Sequence, residues 1–178
     1  MQGKIYEDTR QQVARGDKHA HKHAWFAAHD VMIVRKKLDF GDYISDESNI
    51  AVDTKQSIGE LAMDVGRDHD RFVRELERAR DAGYRLVIMV ESGHPYVDLE
   101  SLSGWTSSAC RMCRLFKSLQ CTPSEVVNCM RFYRKPMQGI TVMKICKKLE
   151  ERYGCRFRFV HPMHAAAVIC EELGVTHS

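Results

Sequence analysis

The chain has 178 residues, of which 44% are hydrophobic and 29% charged, with a formal charge of +3. That length fills one well-packed domain and is short for two, so a single domain over residues 1–178 is expected. No apolar run approaches the roughly 20 residues that span a bilayer, and the opening MQGKIYEDTRQQ is polar and carries Glu7 and Asp8 where a secretory leader is basic and then apolar; a cytoplasmic protein with no membrane partner is expected.

In chain order, Lys4–Asp8 predicts a strand. A helix is predicted from near Asp17, with Ala20, Ala24, Ala27 and Val31 recurring at helical spacing and Lys18, His19, Lys22 and His23 facing elsewhere. His19, His21, His23 and His29 are read as a solvated helix face, since no carboxylate stands among them as in a His-Glu-x-x-His zinc helix. Val31–Arg35 and Asn49–Lys55 predict two more strands. Ser57-Ile-Gly-Glu60 has the form of a capping box. The helix it opens breaks near Gly66, continues through Phe72, Leu76 and Ala79, and closes at Gly83. Arg85–Glu91 (RLVIMVE) is the most apolar run and predicts a central strand covered on both faces. Residues 92–104 are loop and Trp105–Leu119 is predicted helical. Thr122-Pro-Ser-Glu125 is a second capping box with Pro at the first helical position. A helix over Thr141–Tyr153, a strand over Arg156–Val160 and a helix over Pro162–Leu173 complete the chain. Strands alternating with helices predict an α/β domain, a central mixed sheet flanked by helices.

All seven cysteines lie between Cys110 and Cys170. Cys110-Arg-Met-Cys113 has the spacing of half a zinc site, but no second tight pair follows, so reduced thiols on helices are expected. Charge is unevenly placed. Residues 105–178 carry 12 Lys and Arg against 5 Asp and Glu (+7), which leaves 15 against 19 (−4) for residues 1–104. A basic part beside an acid-bearing part suits a polyanion held by one and worked on by the other. Arg111, Arg114 and Lys117 follow at helical spacing, as do Lys144, Lys147 and Lys148, and Arg134-Lys135 interrupts the pattern; these offer either a solvated face or contacts to a DNA backbone.

Residues two apart on a strand project to one side, so Asp53 and Lys55 share a side and Thr54 lies opposite. Asp42 stands at a Gly-Asp turn eleven residues earlier. One reading is a surface ion pair. The other is a site where two carboxylates hold Mg²⁺ or Mn²⁺, hard cations that keep waters and accept phosphate oxygens, while the lysine faces the phosphate.

The order of the flanking features resembles the nuclease domain of the XPF/Hef-type structure-specific endonucleases, within the PD-(D/E)XK superfamily. The resemblance runs through Glu7-Asp8-Thr9-Arg10-Gln11, Leu38-Asp-Phe-Gly41-Asp42-Tyr43, Asp53-Thr54-Lys55, Arg71-Phe72 and Val87-Ile-Met-Val-Glu91, over residues 4–91. It implies a restriction-endonuclease-like fold and Mg²⁺- or Mn²⁺-dependent cleavage of branched, flap or fork DNA in recombination or repair. By the same resemblance Asp42, Asp53 and Lys55 are catalytic, Asp8, Asp42 and Asp53 are metal ligands, and Arg10 and Arg71 are phosphate contacts or site organisers. The chain departs from the family at Gln11 (Glu in the family), at Asp53-Thr54 (Glu-Arg), and at Gly59-Glu60, where the acid after the lysine is shifted. These departures keep open a non-catalytic DNA-binding or assembly module of the same fold. Residues 143–173 look like compact phage or prophage forms without a tandem helix-hairpin-helix module, and a homodimer would be one source of substrate preference.

Overall fold

The structure, a computed structural model, describes residues 3–10 and 19–177; Gln11, Asp17 and Lys18 lie outside the described residues. Six strands are described: β1 (Gly3–Asp8), β2 (Val31–Lys36), β3 (Tyr43–Ile44), β4 (Ile50–Lys55), β5 (Arg85–Glu91) and β6 (Arg156–Val160). They form one sheet in the order β2-β1-β3-β4-β5-β6. β1–β2, β4–β5 and β5–β6 pair in parallel, while the two-residue β3 runs antiparallel to both its neighbours. The fold is therefore α/β with a mixed sheet, as the alternation of elements predicts. In β5 every residue after Arg85 is buried, which is why that run is continuously apolar rather than alternating.

Seven α-helices are described: α1 (Ala20–Ala28), α2 (Ile58–Asp64), α3 (His69–Asp81), α4 (Ser108–Arg111), α5 (Arg114–Lys117), α6 (Gly139–Tyr153) and α7 (Ala165–Leu173). Each sheet face has its own core. Ala51, Leu86, Ile88, Val90 and Phe157 pack with Ile58 and Leu61 of α2, Phe72 and Leu76 of α3 and Val142 of α6. Ile5, Tyr43, Val52, Val87 and Met89 pack with Phe26 of α1 and Ile169 and Leu173 of α7. Among the described residues no helix is long and apolar enough to cross a membrane.

The predicted break near Gly66 separates α2 from α3. Met137 presses there: a Cβ on Gly66 would meet its Cε at 2.7 Å and the Ala62 carbonyl at 2.8 Å. Ser57 caps α2 by accepting from the Glu60 amide at 3.2 Å, and the Glu60 carboxylate reaches back one residue further than a standard box, to the Gln56 amide at 2.8 Å.

Three expectations are corrected. Residues 105–119 form no single helix, because Cys113 is extended and starts α5 afresh after α4 ends. The box at Thr122 opens no helix. Its carbonyl accepts from the Glu125 and Val126 amides, a single turn, and the following Val127 and Met130 are 86% and 91% exposed, so no apolar face is buried to propagate it. On α1 the faces are reversed. Ala20, Ala24 and Ala27 are exposed, while His19, Lys22 and Phe26 are buried. The reason lies in the sheet, whose face beneath α1 ends in two acids, as described next.

Candidate active site

Because β1, β4 and β5 run parallel, their C-terminal residues Asp8, Lys55 and Glu91 gather at one edge of the sheet, where ligands of open α/β sheets bind. The β3–β4 hairpin adds Asp42 to that edge. Gly41 turns the chain with φ +65°, where a Cβ would lie 3.1 Å from the Val52 carbonyl, so the turn requires glycine. The Asp42 amide then donates to Val52 and its carbonyl accepts from Asp8, both at 2.8 Å, which fixes the residue between β1 and β4.

Asp53 and Lys55 project together, both buried. The Lys55 Nζ lies 2.7 Å from Asp53 Oδ2 and 2.8 Å from Oδ2 of Asp64 on α2. Asp64 Oδ1 accepts from Arg71 Nη2 at 2.6 Å, and the Phe72 ring lies 5.5 Å beneath the ammonium. The Arg-Phe pair of α3 thus serves Lys55 twice, once through Asp64 and once as a floor. Burial pushes the Asp53 carboxyl well above the usual carboxylate range, with Asp42 and Glu75 pushing the same way and Lys55 opposing. Burial disfavours the Lys55 charge, but Asp53 and Asp64 outweigh it and raise its pKa, so the lysine is an ammonium.

Thr54, which stands where the resembling family has arginine, has its own task. Its amide and its Oγ1 donate to Asp42 Oδ2 at 2.7 and 2.6 Å, so it aims the Asp42 carboxylate. Asp8 accepts from Arg10 Nε at 2.6 Å and from the amides of Arg10 and Leu38, and Arg10 also donates to the Leu38 carbonyl at 2.6 Å. Both oxygens of Asp8 are therefore engaged in tying the end of β1 to the Leu38 loop, and Arg10 organises that loop.

The opposite face of the same strands ends in Glu7 and Glu91, both buried. Lys22 pairs with Glu91; His23 Nε2 lies 2.7 Å from Glu7 Oε1, which also accepts from the Tyr43 hydroxyl at 3.2 Å. Burial lowers the His19 pKa, with Lys22 adding to the effect. The histidine-rich helix therefore turns its polar side inward to match two carboxylates, and its reading as a solvated face does not hold for His19 or His23. A cleft of about 360 Å³ opens beside this edge, lined among others by Ser57, Gly59, Glu91, Tyr96, Trp105 and Arg111.

Of the basic residues expected to meet DNA, Arg111, Arg114 and Lys117 are exposed but sit on two separate one-turn helices, and Arg134 is exposed on a loop. Lys135 donates to the Val126 carbonyl and closes that loop. Of the cysteines, Cys110, Cys113, Cys146, Cys155 and Cys170 are buried and Cys121 and Cys129 half-buried.

Among the described residues no three His, Cys, Asp or Glu side chains are grouped to hold a metal ion. Mg²⁺ and Mn²⁺ do not require such a cage, since one or two carboxylates with waters and phosphate oxygens complete their shell. Asp42 and Asp53 supply such oxygens. Asp53 Oδ2, although 2.7 Å from the ammonium, is buried and aligned with no hydrogen-bond donor. Two carboxylates, one of them met on its buried oxygen by a lysine alone, are a donor set of the kind a hard divalent cation takes.

Three participants escape the motif. Asp64 lies nine residues past Lys55 on the buried stripe of α2 formed by Ile58, Leu61 and Val65, and an acid on an apolar stripe was the available signal. Glu75 accepts from the Gly41 amide at 3.0 Å, and Lys22 pairs with Glu91 of the motif across 69 residues; neither Glu75 nor Lys22 is marked by local pattern.

No protein-family model and no curated protein sequence matches the chain. Its fold is shared with a protein of known structure, XPF. XPF from Aeropyrum pernix superposes with a TM-score of 0.55 at 17% identity, covering 96% of this chain and 64% of that one. The same protein in complex with DNA gives 0.56 at 19%, covering 97% and 64%. This chain therefore spans less than two thirds of the XPF chain's length, and the likeness is one of fold.

Proposed function

We propose that the chain is a metal-dependent DNA endonuclease that hydrolyses phosphodiester bonds, acting on branched, flap or fork DNA in recombination or repair. The observation that carries this is the buried Asp53–Lys55 pair beside Asp42 at the C-terminal edge of the sheet, in a fold shared with a protein solved on DNA. Asp42 and Asp53 would hold Mg²⁺ or Mn²⁺, which supplies Lewis acidity and a bound water of lowered pKa. Lys55, protonated and buried, offers its ammonium to the charge that develops on the scissile phosphate. Thr54 orients Asp42, Asp8 holds Arg10 in place, and Arg71 steadies Lys55 through Asp64. Arg111, Arg114, Lys117 and Arg134 give the flanking surface its charge for a DNA backbone, and a homodimer would present two such surfaces.

A panel of flap, fork, four-way junction, duplex and single-stranded DNA with Mg²⁺ or Mn²⁺ tests this. Asp42→Asn, Asp53→Asn and Lys55→Ala are each expected to lower cleavage at least about 100-fold while DNA binding survives; unchanged cleavage in all three removes the assigned site. A second reading, a non-catalytic DNA-binding module, is favoured by the closure of Lys55 between two acids. It predicts binding without turnover on every substrate of the panel.

A further inference from the structure

Lys55 is a single ammonium shared by two buried carboxylates, and the two are not equivalent. Asp53 lies two residues before the end of β4, within reach of the Asp42 charge, and its Oδ2 meets no group other than Lys55. Asp64 sits behind the lysine on α2, with its other oxygen held by Arg71 at 2.6 Å. If Asp53 turns toward a cation, it withdraws from Lys55. A buried ammonium left with no partner is strongly unfavourable. Asp64 removes that obstacle, because it already touches the same Nζ at 2.8 Å and is anchored from the other side.

We infer that Asp64 is a positioning residue that takes over Lys55 when Asp53 is committed to a divalent cation. It makes Asp53 available without ligating the cation, and it keeps the ammonium at the edge of the strand. Arg71, mostly exposed, pairs with the far oxygen of Asp64 and holds it from the side away from Lys55. The inference rests on the metal-site reading above. Asp64 is no local substitute in the motif: it comes from the next element, beyond Gly59 and Glu60, and reaches the lysine through the packing of α2 on β4.

The test is Mn²⁺ binding by calorimetry, which needs no turnover, on the wild type, Asp64→Asn, Lys55→Met and the double variant, each first shown to melt cooperatively. Asp64→Asn is expected to weaken Mn²⁺ binding on the order of 10- to 100-fold, as loss of a partner behind a ligand does. In the Lys55→Met background the same change is expected to have no effect, because no ammonium remains to be placed. Asp64→Glu is expected to restore part of the affinity. Unchanged Mn²⁺ affinity in a folded Asp64→Asn protein overturns the inference. So does an equal loss in both backgrounds, which would make Asp64 a ligand or a purely structural residue. Mn²⁺ binding with this coupling but no cleavage of any DNA overturns the nuclease reading alone, whereas a wild type that binds no Mn²⁺ overturns both.

Discussion

Glu75 shows how a residue outside the motif sets the chemistry of one inside it. Its Oε1 accepts from the Gly41 amide at 3.0 Å, and its charge helps to raise the Asp53 pKa above the ordinary 3.8, after burial and the Asp42 charge. Asp53 serves as a ligand only when ionised. Cleavage therefore falls as pH drops through its native pKa, and the acidic limb of the pH–rate profile lies above the ordinary aspartate range. Lys55, raised by Asp53 and Asp64, stays protonated and adds no falling limb near neutrality. Glu75→Gln keeps an oxygen for Gly41 and deletes the charge, so the acidic limb is expected to move to lower pH with the plateau rate retained. A profile that does not move under Glu75→Gln separates Asp53 from the limb. Strand alternation put Asp53 and Lys55 on one side, and the family resemblance, rather than local pattern, joined Asp42 to them. Asp64 and Glu75 were not legible, since each reaches the site by packing of a helix on the sheet.

At the scale of elements, a close joint forms between the start of α6 and the 3₁₀ turn at Ser101–Gly104. The Gly139 amide donates to the Trp105 carbonyl at 2.9 Å, and a Cβ on Gly139 would lie 1.7 Å from the Leu102 carbonyl. Backbone occupies that space, so neither side can yield by rotating a side chain. Gly139→Ala is expected to cost about 3 kcal/mol, a fall of roughly 10 °C in melting temperature for a chain of this size. Gly104→Ala, with nothing within 4 Å of its Cβ, is the control and should stay within about 0.5 kcal/mol. Equal melting temperatures for the two variants contradict the close approach. The strands and the long helices could be read from the chain because their apolar periods matched the layers that bury them. The period on α1 misled for a physical reason: its small alanines made an apolar stripe, but Glu7 and Glu91 beneath it called for Lys22 and His23. Residues 105–135 misled in the opposite way, carrying capping signals without a face to bury, with Leu119 and Met130 each 91% exposed.

Across the whole molecule, the acids of the site and the excess of basic charge lie in different parts of the chain, joined at the sheet edge where Arg111 borders the same cleft as Glu91. Position alone does not make every basic residue a DNA contact. Arg156 and Arg158 converge on the buried Glu172, and Lys147 lies 2.7 Å from Glu100. The charge available to a polyanion is therefore smaller than the residue count, and it includes α4, α5, the loop at Arg134 and the exposed Lys144 and Lys148 of α6. Counterion release makes this measurable, since log K falls with log salt by about 0.9 for each duplex phosphate neutralised. Fluorescence anisotropy with the Asp53→Asn protein and duplex DNA, titrated in salt without divalent metal, reads binding apart from cleavage. Replacing Arg111, Arg114 and Lys117 together by Gln should flatten the slope by up to about 2.7, or about 0.9 per lost contact. Lys147→Gln should leave the slope unchanged, because its partner is a carboxylate of the same chain. A triple variant with the wild-type slope, or a Lys147→Gln protein that loses as much as the triple variant, places the DNA on another face.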